Sequence, residues 1–115
     1  MSFFSNLLLF ILLLSLIACA DDPISYNNDI RPILTTKCLS CHGGVKKNGG
    51  FSLLFESDAL GLTASGAHAI IPGDPSNSEL IKRISNPDPK LRMPYEKPPL
   101  SENEIELLKK WIKQG

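Results

Sequence analysis

The sequence predicts an all-α domain. Apolar residues recur at spacings of three and four toward both ends of the chain, and capping residues precede those recurrences. No alternating run is long enough to form a sheet. Five of the nine prolines fall within residues 85–99, which excludes regular helix or strand interior there. The expectation is three to five short helices joined by loops.

The chain opens on the apolar run from Leu7 to Ile17, broken only by Ser15 and followed by Ala18-Cys19-Ala20. An export signal carries an apolar region of about 7–15 residues, whereas a membrane-spanning helix needs about 20. The length therefore points to a signal, although no Lys or Arg precedes the run. Leu16-Ile17-Ala18-Cys19 resembles the lipobox of bacterial lipoproteins. That resemblance implies a diacylglyceryl group on the Cys19 sulfur and cleavage just before it. Residues 1–18 are then a lipoprotein signal peptide, 19–25 a lipid-anchored tether and 26–115 the domain. The alternative is an uncleaved membrane anchor with an incidental cysteine. Both place the rest of the chain outside the cytoplasm.

From Tyr26 to Cys41 the pattern is helical. Ile30, Ile33, Leu34, Cys38 and Cys41 share a face, Asn27, Asn28 or Asp29 can cap the start, and Pro32 falls near the first turn. Gly43-Gly44 stops the helix. Ser57 is a candidate cap for a short helix running through Leu62, with Gly66 as its breaker. Asp74-Pro75 and the Ser76-x-x-Glu79 box offer two starts for a helix buried through Leu80, Ile81 and Ile84. The clearest helix closes the chain. Ser101 to Glu104 is a capping box, Ile105, Leu108, Trp111 and Ile112 form one apolar face, and Lys109, Lys110 and Lys113 gather at the negative end, with Gly115 at the C′ position.

Twelve basic and twelve acidic residues leave no net charge, and residues 1–18 contribute none of them. That balance excludes a nucleic-acid binder. Three cysteines are present, and lipidation of Cys19 leaves Cys38 and Cys41 as a pair. They sit in Lys37-Cys-Leu-Ser-Cys-His-Gly-Gly44. A structural zinc site needs four ligands, and beyond this cluster the only other histidine is His68. A thioredoxin-like pair expects a βαβ pattern, which does not precede residue 38. A Cys38–Cys41 disulfide suits an oxidising compartment but gives His42 no role. C-x-x-C-H is the attachment signature for c-type haem. At i, i+3 and i+4 of a helix, Cys38, Cys41 and His42 share a face, so two thiols can meet two vinyl groups while the imidazole meets iron.

A sixth iron ligand is then sought. Once the signal is removed the chain holds a single methionine, Met93, in a proline-stiffened loop. A thioether ligand raises the reduction potential, as electron carriers require. His68 is the rival ligand, and an open position is the third possibility.

The segments Asp29-Ile-Arg-Pro-Ile-Leu34, Lys37 to Gly43, Lys47-Asn-Gly-Gly-Phe-Ser-Leu53, Ile71-Pro-Gly-Asp-Pro-Ser-Asn-Ser-Glu-Leu-Ile81, Arg92-Met-Pro94 and Leu100 to Gly115 resemble, in the same order, the Planctomycete-type cytochrome c domain family. The resemblance spans about residues 26–115. It implies a small cytochrome c-like fold around one covalently bound haem c, with the first and last helices crossing beside it. It also implies thioether bonds at Cys38 and Cys41, His42 as proximal ligand and Met93 as distal ligand.

The functional expectation is a mono-haem electron carrier rather than an enzyme. It would be lipid-anchored in the bacterial cell envelope, facing the periplasm or outer surface, and would serve redox partner proteins there. The alternative is a haem sensor, or a docking module for an envelope enzyme, without sustained electron transfer. A peroxidase is disfavoured because no distal acid–base pair and no second C-x-x-C-H motif accompany the first.

Overall fold

The computed structural model describes residues 20–44 and 46–115, so the signal segment 1–18 and Cys19 lie outside the described residues. Ser25 caps the first helical segment, not Asn27, Asn28 or Asp29. Its hydroxyl accepts from Asn28 N at 3.3 Å, and Asp29 Oδ2 accepts from Ser25 N at 2.8 Å. This reciprocal pair satisfies two backbone donors. Tyr26–Ile30 forms a wide π turn in which Arg31 N reaches back to Tyr26 O. Pro32 lies just inside α1 (Arg31–Lys37), where its missing N–H costs little.

The helix expected to run from Tyr26 to Cys41 is divided at Cys38, where φ is −124° and ψ is −39°. A separate turn, α2 (Leu39–His42), begins there. The Cys38 carbonyl accepts from both Cys41 N at 3.2 Å and His42 N at 3.0 Å. Gly43 ends α2 for a steric reason: a Cβ at this position would lie 2.5 Å from Leu39 O.

After a 3₁₀ turn at Asn48–Gly50, α3 (Glu56–Leu60) starts two residues earlier than the sequence pattern suggests. Phe55, not Ser57, precedes it, and Phe55 O takes the amides of Asp58 and Ala59. Gly61 ends it, whereas Gly66 (φ +82°) closes a tight turn further on, where Thr63 N donates to Ala67 O at 2.9 Å. A single antiparallel bridge joins Leu62 to His68.

The helix α4 (Glu79–Ile84) follows Ser78, and the Ser76–Glu79 capping box does not form. Ser76 and Asn77 turn instead toward Asp74, whose carboxylate accepts from Ser76 Oγ at 3.1 Å and Asn77 Nδ2 at 2.7 Å. Ser78 is fully buried and survives there because its hydroxyl is satisfied in both directions: Oγ donates to Asp74 O at 2.8 Å and accepts from Ile71 N at 2.9 Å. Residues 85–99 contain neither helix nor strand, as the prolines require. The last helix, α5 (Glu102–Gln114), carries the expected capping box, with Glu104 N on Ser101 Oγ at 3.1 Å and Ser101 N on Glu104 Oε1 at 3.0 Å.

The five α-helices, with no strand among the described residues, make the fold all-α. Ile30, Ile33, Leu34, Ile81, Ile84, Leu108 and Ile112 form the centre of one hydrophobic core, with Phe51, Ile70 and Leu100 closing it. Burying a side chain such as Leu108, which is fully enclosed, contributes about 1.5–3 kcal/mol. The two ends of the domain are tied together. Gln114 accepts from Ile24 N at 2.9 Å and donates to Ile24 O at 2.7 Å, while the rings of Tyr26 and Trp111 lie 5.7 Å apart. These contacts fasten Ile24 and Tyr26 to the last helix.

Candidate functional site

The break at Cys38 sets the geometry of the site. Because α2 is a single turn hung on the Cys38 carbonyl, Cys38, Cys41 and His42 lie on consecutive turns of backbone and border one cavity of about 390 Å³. Its walls are mainly apolar, with Phe51, Leu80, Ile84 and Leu100 among them, and Met93 and Pro94 contribute from the proline-rich loop. A mostly apolar cleft of roughly 300–1,000 Å³ with a few convergent polar groups is the usual form of a cofactor site.

The imidazole of His42 is oriented by the chain. Its Nδ1 lies 3.1 Å from Phe51 O, and a carbonyl can only accept, so Nδ1 carries the proton. Nε2 is left with a lone pair, the form in which histidine binds metals. The Phe51 ring packs beside the imidazole, centroids 5.2 Å apart, and Leu53 N donates to His42 O at 2.7 Å. Between these contacts the fully buried Ser52 accepts from Gly44 N at 3.1 Å and Leu54 N at 3.2 Å. The segment after the glycines thus folds back onto the histidine.

Both Cys38 and Cys41 are free thiols. Burial pushes the Cys38 thiol up to about 11, with Glu104 and Cys41 adding to the effect, so it is protonated and uncharged at neutral pH. Among the described residues, no group of three or more His, Cys, Asp or Glu side chains converges as a site for a metal ion. That arrangement does not suit structural zinc, which needs four converging ligands.

Met93 is held in place by its own backbone: Met93 N donates to Arg83 O at 3.1 Å, tying the loop to α4. His68 is exposed, its Nδ1 sits 2.9 Å from Leu60 O, and it does not border the cavity. The charged residues on the cavity wall are Lys37, Arg83, Lys97 and Glu79. Glu79 is paired with Arg83 through Nε at 3.0 Å, so the wall as a whole retains two uncompensated positive charges. Phe51, Ser52 and the Glu79–Arg83 pair escaped sequence reasoning because their roles depend on chain segments distant from the Cys-His cluster.

Residues 38–97, just over half of the chain, match the family model described as Planctomycete cytochrome C. The chain belongs to that family. The match begins at Cys38 and takes in Cys41, His42 and Met93. It is narrower than the 26–115 span of the sequence resemblance and leaves α1 and α5 outside. No curated protein and no solved structure gives a match. A Planctomycete cytochrome C domain implies binding of haem c, and the donor set fits that group. Two thiols, an imidazole with an open Nε2 and a thioether border one apolar cavity whose wall carries surplus positive charge.

Proposed function

We propose that the protein is a mono-haem electron carrier of the bacterial cell envelope, tethered to a membrane by lipid on Cys19 and exchanging single electrons with envelope redox proteins. One observation carries this reading: a single cavity is bordered by both thiols, by Met93 and by a histidine whose Nδ1 is already committed to Phe51 O.

Haem c, when bound, supplies a one-electron couple at its iron. Cys38 and Cys41 would hold it through thioether bonds, His42 Nε2 would be the proximal ligand and Met93 the distal one. Phe51 O keeps the imidazole in one tautomer and one orientation. The Met93 thioether is neutral and soft, so as an iron ligand it would favour the reduced state and raise the potential. Leu80, Ile84 and Leu100 make the cavity wall apolar and keep its polarity low. Lys37, Arg83 and Lys97 on the cavity wall would supply counter-charge for the carboxylates of a bound haem, and the Glu79 contact fixes the Arg83 guanidinium in advance.

The test is to produce the full chain with haem maturation and compare it with Met93→Ala. The parent should retain haem after denaturation and show low-spin iron. The variant should lose the low-spin spectrum, and its potential should fall by on the order of 0.1 V, a fraction of the ~0.8 V range that axial ligands command. An unchanged spectrum and potential in the variant removes Met93 from the iron. High-spin iron in the parent favours a ligand-sensing module over a carrier. Absence of covalent haem sinks the reading.

A further inference from the structure

A second groove, of about 410 Å³, shares no lining residue with the Cys-His cavity. Tyr26, Leu54, Phe55, Trp111 and Ile112 border it. Phe55 is 64% exposed, Leu54 57% and Tyr26 45%, large values for residues of this kind grouped in one place. The chain also enters the domain here. Ile24 is clamped to Gln114, and both Tyr26 and the terminal Gly115 line the groove. Four residues separate Cys19 from Ile24, so the five steps between them reach at most about 18 Å when fully extended.

We propose that this groove is the membrane-facing surface of the protein, resting in the headgroup–acyl boundary of the bilayer that holds the Cys19 lipid. The inference rests on the lipid-tether reading above and adds an orientation to it. Leu54 and Phe55 supply the apolar contact. Tyr26 and Trp111 supply aromatic rings with polar edges, the side chains that settle at membrane interfaces. Lys110 and Lys113, exposed next to the lining residues Trp111 and Ile112 in the chain, supply attraction to anionic headgroups that outweighs the one exposed carboxylate side chain of the lining, Glu56. A short tether keeps the groove at high effective concentration beside lipid, so even weak docking is populated. A second copy of the chain, by contrast, has to be met by diffusion. Docked this way, the Cys-His cavity stays open to redox partners, because none of its lining is used.

Orientation of the haem tests the proposal. The haem-matured full chain is placed on supported bilayers of phosphatidylcholine with phosphatidylglycerol, its Cys19 lipid having been checked by mass spectrometry. Polarised absorption of the Soret band should show a fixed haem tilt. The Leu54→Ser, Phe55→Ser double variant, altered only at exposed positions, should stay bound with an unchanged solution spectrum and lose the dichroism. An isotropic parent, or a double variant as ordered as the parent, overturns the proposal. If mass spectrometry finds no lipid on Cys19, the tether reading fails by itself. The surface is then judged on the chain coupled at Cys19 to a maleimide phospholipid, where dichroism supports it and isotropy overturns it. A dimer in detergent that the double variant abolishes assigns the groove to a second copy and overturns it too.

Discussion

His42 Nδ1 and Phe51 O, nine residues apart, are joined by a 3.1 Å hydrogen bond that leaves Nε2 as the open nitrogen of the imidazole. That contact depends on the chain reversing direction straight after α2, and Gly43 is where the reversal begins.

Gly43→Ala should therefore damage the site without touching it. The added Cβ would meet backbone, Leu39 O at 2.5 Å, so α2 has to shift rather than a side chain. Strain of this kind costs about 1–3 kcal/mol. Urea unfolding should register that loss, and haem incorporation should fall in parallel. An unchanged midpoint shows that α2 adapts freely.

Arg83→Gln removes one of the three cations on the cavity wall and leaves Glu79 unpaired. That loss of one positive charge makes the surroundings of the iron more negative and favours Fe(III), so the potential should drop by on the order of tens of millivolts. Arg83→Lys keeps the charge and should recover most of that drop. Equal potentials in all three proteins, measured by redox titration, would show that this charge is screened from the iron.

The Asp74 carboxyl is held below the ordinary carboxylate range, first by the Asn77 side chain and then by Ser76 and the Asn77 backbone. A lowered value means that the folded state prefers the ionised form. The associated stability is present above the usual carboxylate range and is lost as pH falls from there through the lowered value of the folded state. Asp74→Asn should accordingly have a lower melting temperature than the parent near neutral pH, and the two curves should converge in acid. A difference independent of pH contradicts the assignment.

Gln114→Ala deletes both hydrogen bonds to Ile24. At about 0.5–1.5 kcal/mol for a typical bond, and less at an exposed site such as this one, the total loss should be near 1 kcal/mol. Hydrogen exchange at residues 24–30 should rise more than exchange in α5. Uniform acceleration along the chain would mean that the clamp supports the whole domain rather than its entry point.

Local chemistry made much of this protein legible. The capping box at Ser101, the apolar face of α5 and the proline-rich stretch at 85–99 appear where the residues put them, because each depends on neighbours within a turn. The Cys-His cluster was likewise visible as a unit, since its members are separated by one helical turn. Starts and stops were less so: Ser25 rather than Asn27 to Asp29, Phe55 rather than Ser57, and Ser78 without the Ser76–Glu79 box. Several polar residues could cap near Ser25 and Ser78, and at Phe55 the backbone carbonyl alone starts the helix.

What the sequence by itself determined was the all-α class, membership of a haem-binding pattern and the list of donor side chains. What only the tertiary structure decided was their relationship. It broke the first helix at Cys38 and committed His42 Nδ1 to Phe51. It brought Met93 to the Cys-His cavity while leaving His68 on the surface. These are contacts between segments distant in the chain. Their energies come from burying apolar surface and satisfying backbone groups in three dimensions, which no local spacing encodes.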